Sequence, residues 1–142
     1  MELQRASAQH ARLLSELNRK MIQDSGHMNG LDAEGIYQRM LDWLTSGEYQ
    51  AHFIVKDRQR IGYCLSRHGS PHAHLRQFYI EPSYRRGGLG TQAVQQLLQG
   101  HLRDALIIQL DVHPGNTAAM AFWRANGFEG VPENMQYLRR TI

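Results

Sequence analysis

A glycine-rich turn between an apolar run and a helical segment restricts this chain to folds in which a strand feeds directly into a helix. Residues 85–90 read Arg-Arg-Gly-Gly-Leu-Gly, and the Thr91–Leu102 segment after them places Ala93, Val94, Leu97, Leu98 and Leu102 at helical spacing. Gly87, Gly88 and Gly90 let the backbone turn tightly and let a ligand approach its N–H groups. The loop therefore lies at a helix N-terminus, where unpaired amides and the positive end of the helix dipole favour an anion. Arg85 and Arg86 add fixed positive charge suited to phosphate, so a pyrophosphate is the simplest ligand. Plain turn geometry would use the same residues. A Walker loop is excluded because Gly90 is followed by Thr91 with no lysine, and the dinucleotide fingerprint because Ala93 stands where its third glycine belongs.

At 142 residues the chain suits one domain, large enough to bury about two-thirds of its unfolded surface. Cys64 is the sole cysteine, lies in the apolar run Ile61–Leu65, and reads as a buried small hydrophobe. The opening residues carry no signal-peptide core and no apolar run approaches bilayer length, so a cytosolic protein with no membrane partner is expected. The net charge of +3 comes almost wholly from scattered arginines. A nucleic-acid binder would show a basic stripe interleaved with aromatics, so no nucleic-acid partner is expected.

The order of elements follows from periodicity and punctuation. Residues 2–5 suit a short strand, and Ser7 is placed to cap a helix with Ala11, Leu14, Leu17 and Met21 on one face. Gln23–Leu31 reads as a loop. Asp32 caps a second helix bearing Ile36, Tyr37, Met40, Leu41 and Leu44, which stops at Gly47. Strands at about 49–56 and 60–67 form a hairpin across Asp57-Arg58-Gln59, and another strand runs near 74–81. Ala105–Val112 is nearly all apolar, as for a strand covered on both faces. Asn116 or Thr117 caps a helix reaching Asn126, Gly127 ends it with Phe128 folded back on Trp123, and a last strand spans about 135–140. The order β-α-α-β-β-β-α-β-α-β makes a mixed α/β domain with helices over a central sheet.

This order, with a glycine loop after the fourth strand, resembles the GNAT (Gcn5-related N-acetyltransferase) superfamily. The block Tyr79–Gly90 fits its acetyl-CoA signature, Arg/Gln-x-x-Gly-x-Gly/Ala, at Arg85, Gly88 and Gly90. The block Leu110–Phe128 is similar to its downstream segment, an Asn before an alanine-rich helix ending in aromatic-x-x-x-Gly-Phe. The resemblance implies the GNAT fold, of α+β type, and acetyl transfer from acetyl-CoA to a primary amine on a small molecule or peptide. A non-catalytic acyl-CoA-binding sensor is the alternative. It also implies a homodimer as one assembly.

On this resemblance the backbone of Arg86, Gly87, Gly88, Leu89 and Gly90 holds the CoA pyrophosphate, with Arg85 assisting and Thr91 and Trp123 beside the cofactor. The pantetheine arm pairs with the strand at Phe78, Tyr79, Ile80 and Glu81, and one amide there polarises the thioester carbonyl. Asn116 bonds the arm, caps the helix, or does both; Arg124 reaches the adenosine 3′-phosphate or is solvated. Direct attack needs a base for the amine. Asp111 is the first candidate, since Leu110 and Val112 point the other way, and Glu81, His113 or water are alternatives. Many relatives carry a tyrosine acid where this chain has Trp123, whose indole N–H is no acid. Tyr84 or Tyr79 takes that role, or the thiolate leaves unassisted.

The Gln23–Leu31 loop and the Val131–Met135 turn are expected to set acceptor choice. Asp24 and Glu133 would attract a cationic amine, and Met28 and Met135 would give apolar contacts. His68, His72 and His74 surround a loop, but no cysteine or carboxylate completes a metal set, so no metal is expected.

Overall fold

The computed structural model describes residues 1–26, 30–131 and 136–140. Its strands form one seven-stranded sheet: β1 (Glu2–Arg5), β2 (Gln50–Lys56), β3 (Gln59–Arg67), β4 (His72–Ile80), β5 (Ile107–Asp111), β6 (Glu129–Val131) and β7 (Gln136–Arg140). They lie in the order β1-β2-β3-β4-β5-β7-β6. Only β4 and β5 run parallel; every other neighbouring pair is antiparallel. Four α-helices cover the sheet: α1 (Ala11–Ser25), α2 (Ala33–Ser46), α3 (Leu89–Gln99) and α4 (Thr117–Ala125).

The apolar periodicities bury as the sequence dictates. Ala11, Leu14 and Leu17 of α1 and Met40 and Trp43 of α2 pack with Phe53, Tyr63, Leu65 and Tyr79 on one sheet face. Val94 and Leu97 of α3 and Trp123 of α4 pack with Cys64, Leu75, Ile108 and Leu110 on the other. Asp32 caps α2 by accepting the Gly35 N–H at 2.8 Å. The β2–β3 hairpin turns on Asp57 and Arg58, both at positive φ (51° and 66°), the two-residue turn whose twist matches that of its strands. Burial pushes the Cys64 thiol up to about 12, which keeps it an inert core group.

Five expectations are corrected. A 3₁₀ turn at Ala8–His10 precedes α1, and the Ser7 N–H donates to His10 Nδ1 at 3.0 Å, so Ser7 does not begin the α-helix. Helix α1 runs through Gln23 and Asp24 to Ser25, because nothing before Gly26 (φ 69°) stops it. Helix α3 is bounded by Leu89 and Gln99, and Leu102 lies beyond it, buried in the turn that follows. Strand β5 buries Ile108 and Leu110 but leaves Asp111 exposed, so only one of its faces is fully covered. The three-residue strand β6 is additional to the expected order, being too short for any periodicity to reveal.

Two irregularities in β4 position the rest of the molecule. Its pairing with β5 stops after three residues, His72, Ala73 and His74 opposite Ile107, Ile108 and Gln109. From Leu75 to Ile80 it is held by β3 alone, so the edge facing β5 is open among the described residues. Against β3, Leu65 faces Gln77 and Ser66 faces Leu75, which leaves Arg76 as the extra residue of a bulge. The bulge turns Arg76 and Gln77 to the same side: Arg76 lies over Trp43, and Gln77 accepts from the Tyr63 hydroxyl at 2.7 Å.

Candidate active site

The open edge of β4 leads into the glycine loop. A single 3₁₀ turn, Pro82–Tyr84, redirects the chain, and Arg85 bends back so that its Nε donates to the Ile80 carbonyl at 2.7 Å. Its Nη2 bonds Asp24 Oδ2 at the end of α1, and its cation sits 5.4 Å from the Tyr79 ring centre. Arg85 thus ties the loop to the end of β4 and to α1. Arg86 and Gly88 then adopt left-handed conformations (φ 71° and 79°), and Gly88 caps α3. The first helical bond runs from the Gln92 N–H to the Gly88 carbonyl. The amides from Arg86 to Thr91 have no acceptor among the described residues, and at a helix N-terminus such amides favour an anion.

Two glycines of the loop are fixed by different constraints. A Cβ on Gly88 would project into open space outside the loop, so its requirement is conformational. A Cβ on Gly90 would lie 3.0 Å from Phe122 Cε1, so its requirement is the close approach of α3 to α4. Thr91 reinforces that approach, its Oγ1 accepting from Asn126 Nδ2 at 3.5 Å. Phe78 meets the same junction, with its ring 5.9 Å from Phe122 and 5.2 Å from Trp123.

Helix α4 behaves as its sequence indicated. Asn116 Oδ1 accepts the Ala119 N–H at 3.1 Å and caps the helix, and its amide nitrogen is not used in that bond. Gly127 (φ 87°) and Phe128 close the other end: their N–H groups donate to Arg124 and Trp123 carbonyls at 3.1 and 3.0 Å, a Schellman pattern. Trp123 is buried edge-on against Phe128 at 5.2 Å, a packing role. The Arg124 cation lies over the Tyr137 ring at 5.8 Å.

The candidate acid and base residues are distributed unevenly. Asp111, 56% exposed, sits at the end of β5 on the α1–α2 side, with Oδ2 3.8 Å from His74 Nε2. His74 Nδ1 shares a 2.7 Å hydrogen bond with the Tyr49 hydroxyl. Burial lowers the His74 pKa despite the opposing pull of Asp111, so its imidazole is neutral at pH 7. Glu81 pairs with Lys20 at 3.0 Å and raises that lysine's pKa. The Tyr79 phenol is pushed up by burial and by Glu81 and Asp24. Tyr84 donates to Gln59 Oε1 at the start of β3, two strands from Asp111. His113 Nδ1 accepts from the Gly115 N–H, local turn chemistry.

The structure thus brings together the loop, Phe78–Ile80 and α4, and sets Asp111 beside His74 rather than beside Glu81 or Tyr84. The sequence singled out His74 only as a possible metal ligand and gave no sign of Tyr49, because only the short parallel pairing of β4 with β5 places His74 near Asp111. Asp24, expected to attract a cationic amine, is engaged by Arg85. Met28, Glu133 and Met135 lie outside the described residues. Among the described residues no group of three His, Cys, Asp or Glu side chains is placed to hold a metal ion, and no helix is long and apolar enough to cross a membrane.

Comparison with known proteins agrees with this architecture. Residues 14–128 match the model of the acetyltransferase (GNAT) family, and the chain belongs to that family. No protein with a curated description matches the sequence. Among solved structures, an acetyltransferase from Thermus thermophilus superposes with a TM-score of 0.81 at 22% identity, over 98% of this chain and 96% of that one. The PaiA N-acetyltransferase of Thermoplasma acidophilum, solved with coenzyme A, gives 0.70 at 16% identity over 98% of each chain. The aminoglycoside acetyltransferase AAC(6')-Ib, solved with coenzyme A and kanamycin, gives 0.75 at 19% identity over 98% of this chain and 94% of its own.

Proposed function

We propose that this protein, acting as one domain over residues 1–142, transfers the acetyl group of acetyl-CoA to a primary amine by direct attack. The observation that carries the reading is the continuity of two unsatisfied features. The open β4 edge (Leu75–Ile80) runs into the free amides of Arg86–Thr91. An amide-rich arm that ends in a pyrophosphate satisfies both at once: its amides pair with the strand, and its phosphates meet the helix N-terminus. Related folds solved with coenzyme A support this choice of ligand.

In this reading a backbone N–H near Phe78 donates to the thioester oxygen as negative charge develops there. The amine nitrogen attacks the carbonyl carbon, the C–S bond breaks, and the thiolate leaves. The amine proton passes to Asp111 through a water, because the aspartate is short and faces solvent. Glu81, the alternative base, is paired with Lys20, and the thiolate takes its proton from solvent or from Tyr79, since Tyr84 donates to Gln59. The Asp111→Asn variant tests the assignment by thiol release from acetyl-CoA with an amine panel. Turnover is expected to fall roughly 10²-fold or more while acetyl-CoA still raises the unfolding midpoint. Unchanged turnover across the pH range removes Asp111 as the base.

A further inference from the structure

On the α1–α2 side of β4, next to Asp111 and His74, two arginines stand without a carboxylate among the described residues. Arg39 of α2 and Arg76 of the β4 bulge each place the guanidinium carbon 4.7 Å from the centre of the Trp43 ring. Arg39 is half-buried; its Nη2 donates to Asn18 Oδ1 at 3.0 Å, and its Nε is buried with no partner among the described residues. Arg76 is exposed and touches only the rings of Trp43 and Tyr49 among the contacts described. The acidic groups nearby are engaged elsewhere: Glu48 by Arg67, Asp42 by Gln38, and Asp111 facing His74.

This arrangement is unfavourable as it stands. A half-buried cation normally has a carboxylate partner. Here burial and the neighbouring Arg76 charge both lower the Arg39 pKa. Packing against Trp43 alone does not require two like charges. A bound anion would accept from both guanidiniums and remove their repulsion, with the planar donors suited to a carboxylate or phosphate. The location ties this to the reaction. Arg76 lies in the stretch of β4 not paired with β5 and is two residues from His74, about 7 Å along the strand. His74 in turn faces Asp111, so the two arginines and the candidate base lie on the same side of the sheet.

We infer that the acceptor is a small amine that also carries an anionic group, bound between Arg39 and Arg76 with its amino group directed toward Asp111 and His74. The inference rests on the acyl-transfer reading above. It replaces the cationic amine expected from Asp24, whose carboxylate is held by Arg85.

The test is thiol release from acetyl-CoA with matched amines: amino carboxylates, aminoalkyl phosphonates, their neutral amides or esters, and a polyamine. At least one anionic amine is expected to exceed its neutral counterpart in kcat/KM by about 10- to 100-fold, the worth of a charge-assisted pair. Arg76→Gln should collapse that ratio to within about threefold, while Arg76→Lys keeps part of it. Carboxylate and phosphonate arms separate the two sources of the anion. Arg76 is exposed, so loss of fold is not expected, and an unchanged acetyl-CoA-induced rise in midpoint checks that the cofactor groove is intact. Turnover confined to the polyamine or neutral amines, or a preference that survives Arg76→Gln, overturns the inference and leaves acyl transfer standing. If no amine is acetylated the inference falls, and if acetyl-CoA also fails to shift the midpoint the acyl-transfer reading falls with it.

Discussion

Replacing Gly88 separates two demands that the loop makes on one residue. Its φ of 79° lies in the left-handed region, which costs an L-residue roughly 1–2 kcal/mol. Its absent Cβ faces open space, so a large side chain there would stand beside the Arg86–Thr91 amides without meeting protein. Gly88→Ala and Gly88→Trp share the first cost, but only the indole obstructs the second. At about 2.1 cal/mol/K per residue, the 142 residues give an unfolding entropy near 0.3 kcal/mol/K. Both variants should therefore unfold about 3–7 °C below wild type without ligand. Acetyl-CoA at about 100 times its Kd adds about 2.7 kcal/mol, or about 9 °C on the same scale. Wild type and Gly88→Ala are expected to show most of that rise in a thermal-unfolding assay, and Gly88→Trp essentially none. A full rise in Gly88→Trp would refute ligand approach at the loop and reduce the hexapeptide to a turn.

Two further outcomes follow from the core. Burial, with smaller contributions from His101 and Arg5, lowers His52 from 6.5 to about 4 in the folded chain. Between those values the unfolded state binds more protons, so stability falls as pH drops through the window, by at most about 1.4 kcal/mol per unit. His52→Gln should flatten the decline of the midpoint between pH 6.5 and 4, and equal slopes in variant and wild type would exclude His52 as a source. Gly62 lies where a Cβ would stand 2.0 Å from the Tyr79 carbonyl and 3.0 Å from Ile80 Cα, both backbone. Gly62→Ala should destabilise by more than about 3 kcal/mol, a fall of roughly 10 °C, and a variant as stable as wild type would contradict the tight β3–β4 approach.

Local chemistry made much of the fold legible. Asp32, Gly47 and Gly127 punctuate the helices where their side chains and positive φ values require. The apolar rows of α1 and α2 reached the core because helical period and burial agree. The misplaced boundaries share one cause. Nothing in Gln23–Ser25 forbids a further helical turn, so the helix runs on to its left-handed cap at Gly26 and brings Asp24 to Arg85. Strand β6 exists because β7 offers it an edge, a partnership made across the chain.

The sequence by itself determined the phosphate-binding device, since a glycine loop entering a helix carries its amides and dipole wherever the domain places it. It also determined the chain's family through residues spaced along continuous segments. Tertiary structure alone decided the chemistry around those segments. Tyr49, His74 and Asp111 are far apart in sequence and meet only because β4 pairs with β5 for three residues and then diverges. Arg39 and Arg76 converge on Trp43 only because a bulge turns one residue of β4 toward α2. Register, bulges and strand divergence arise from long-range pairing, which no local pattern of side chains encodes.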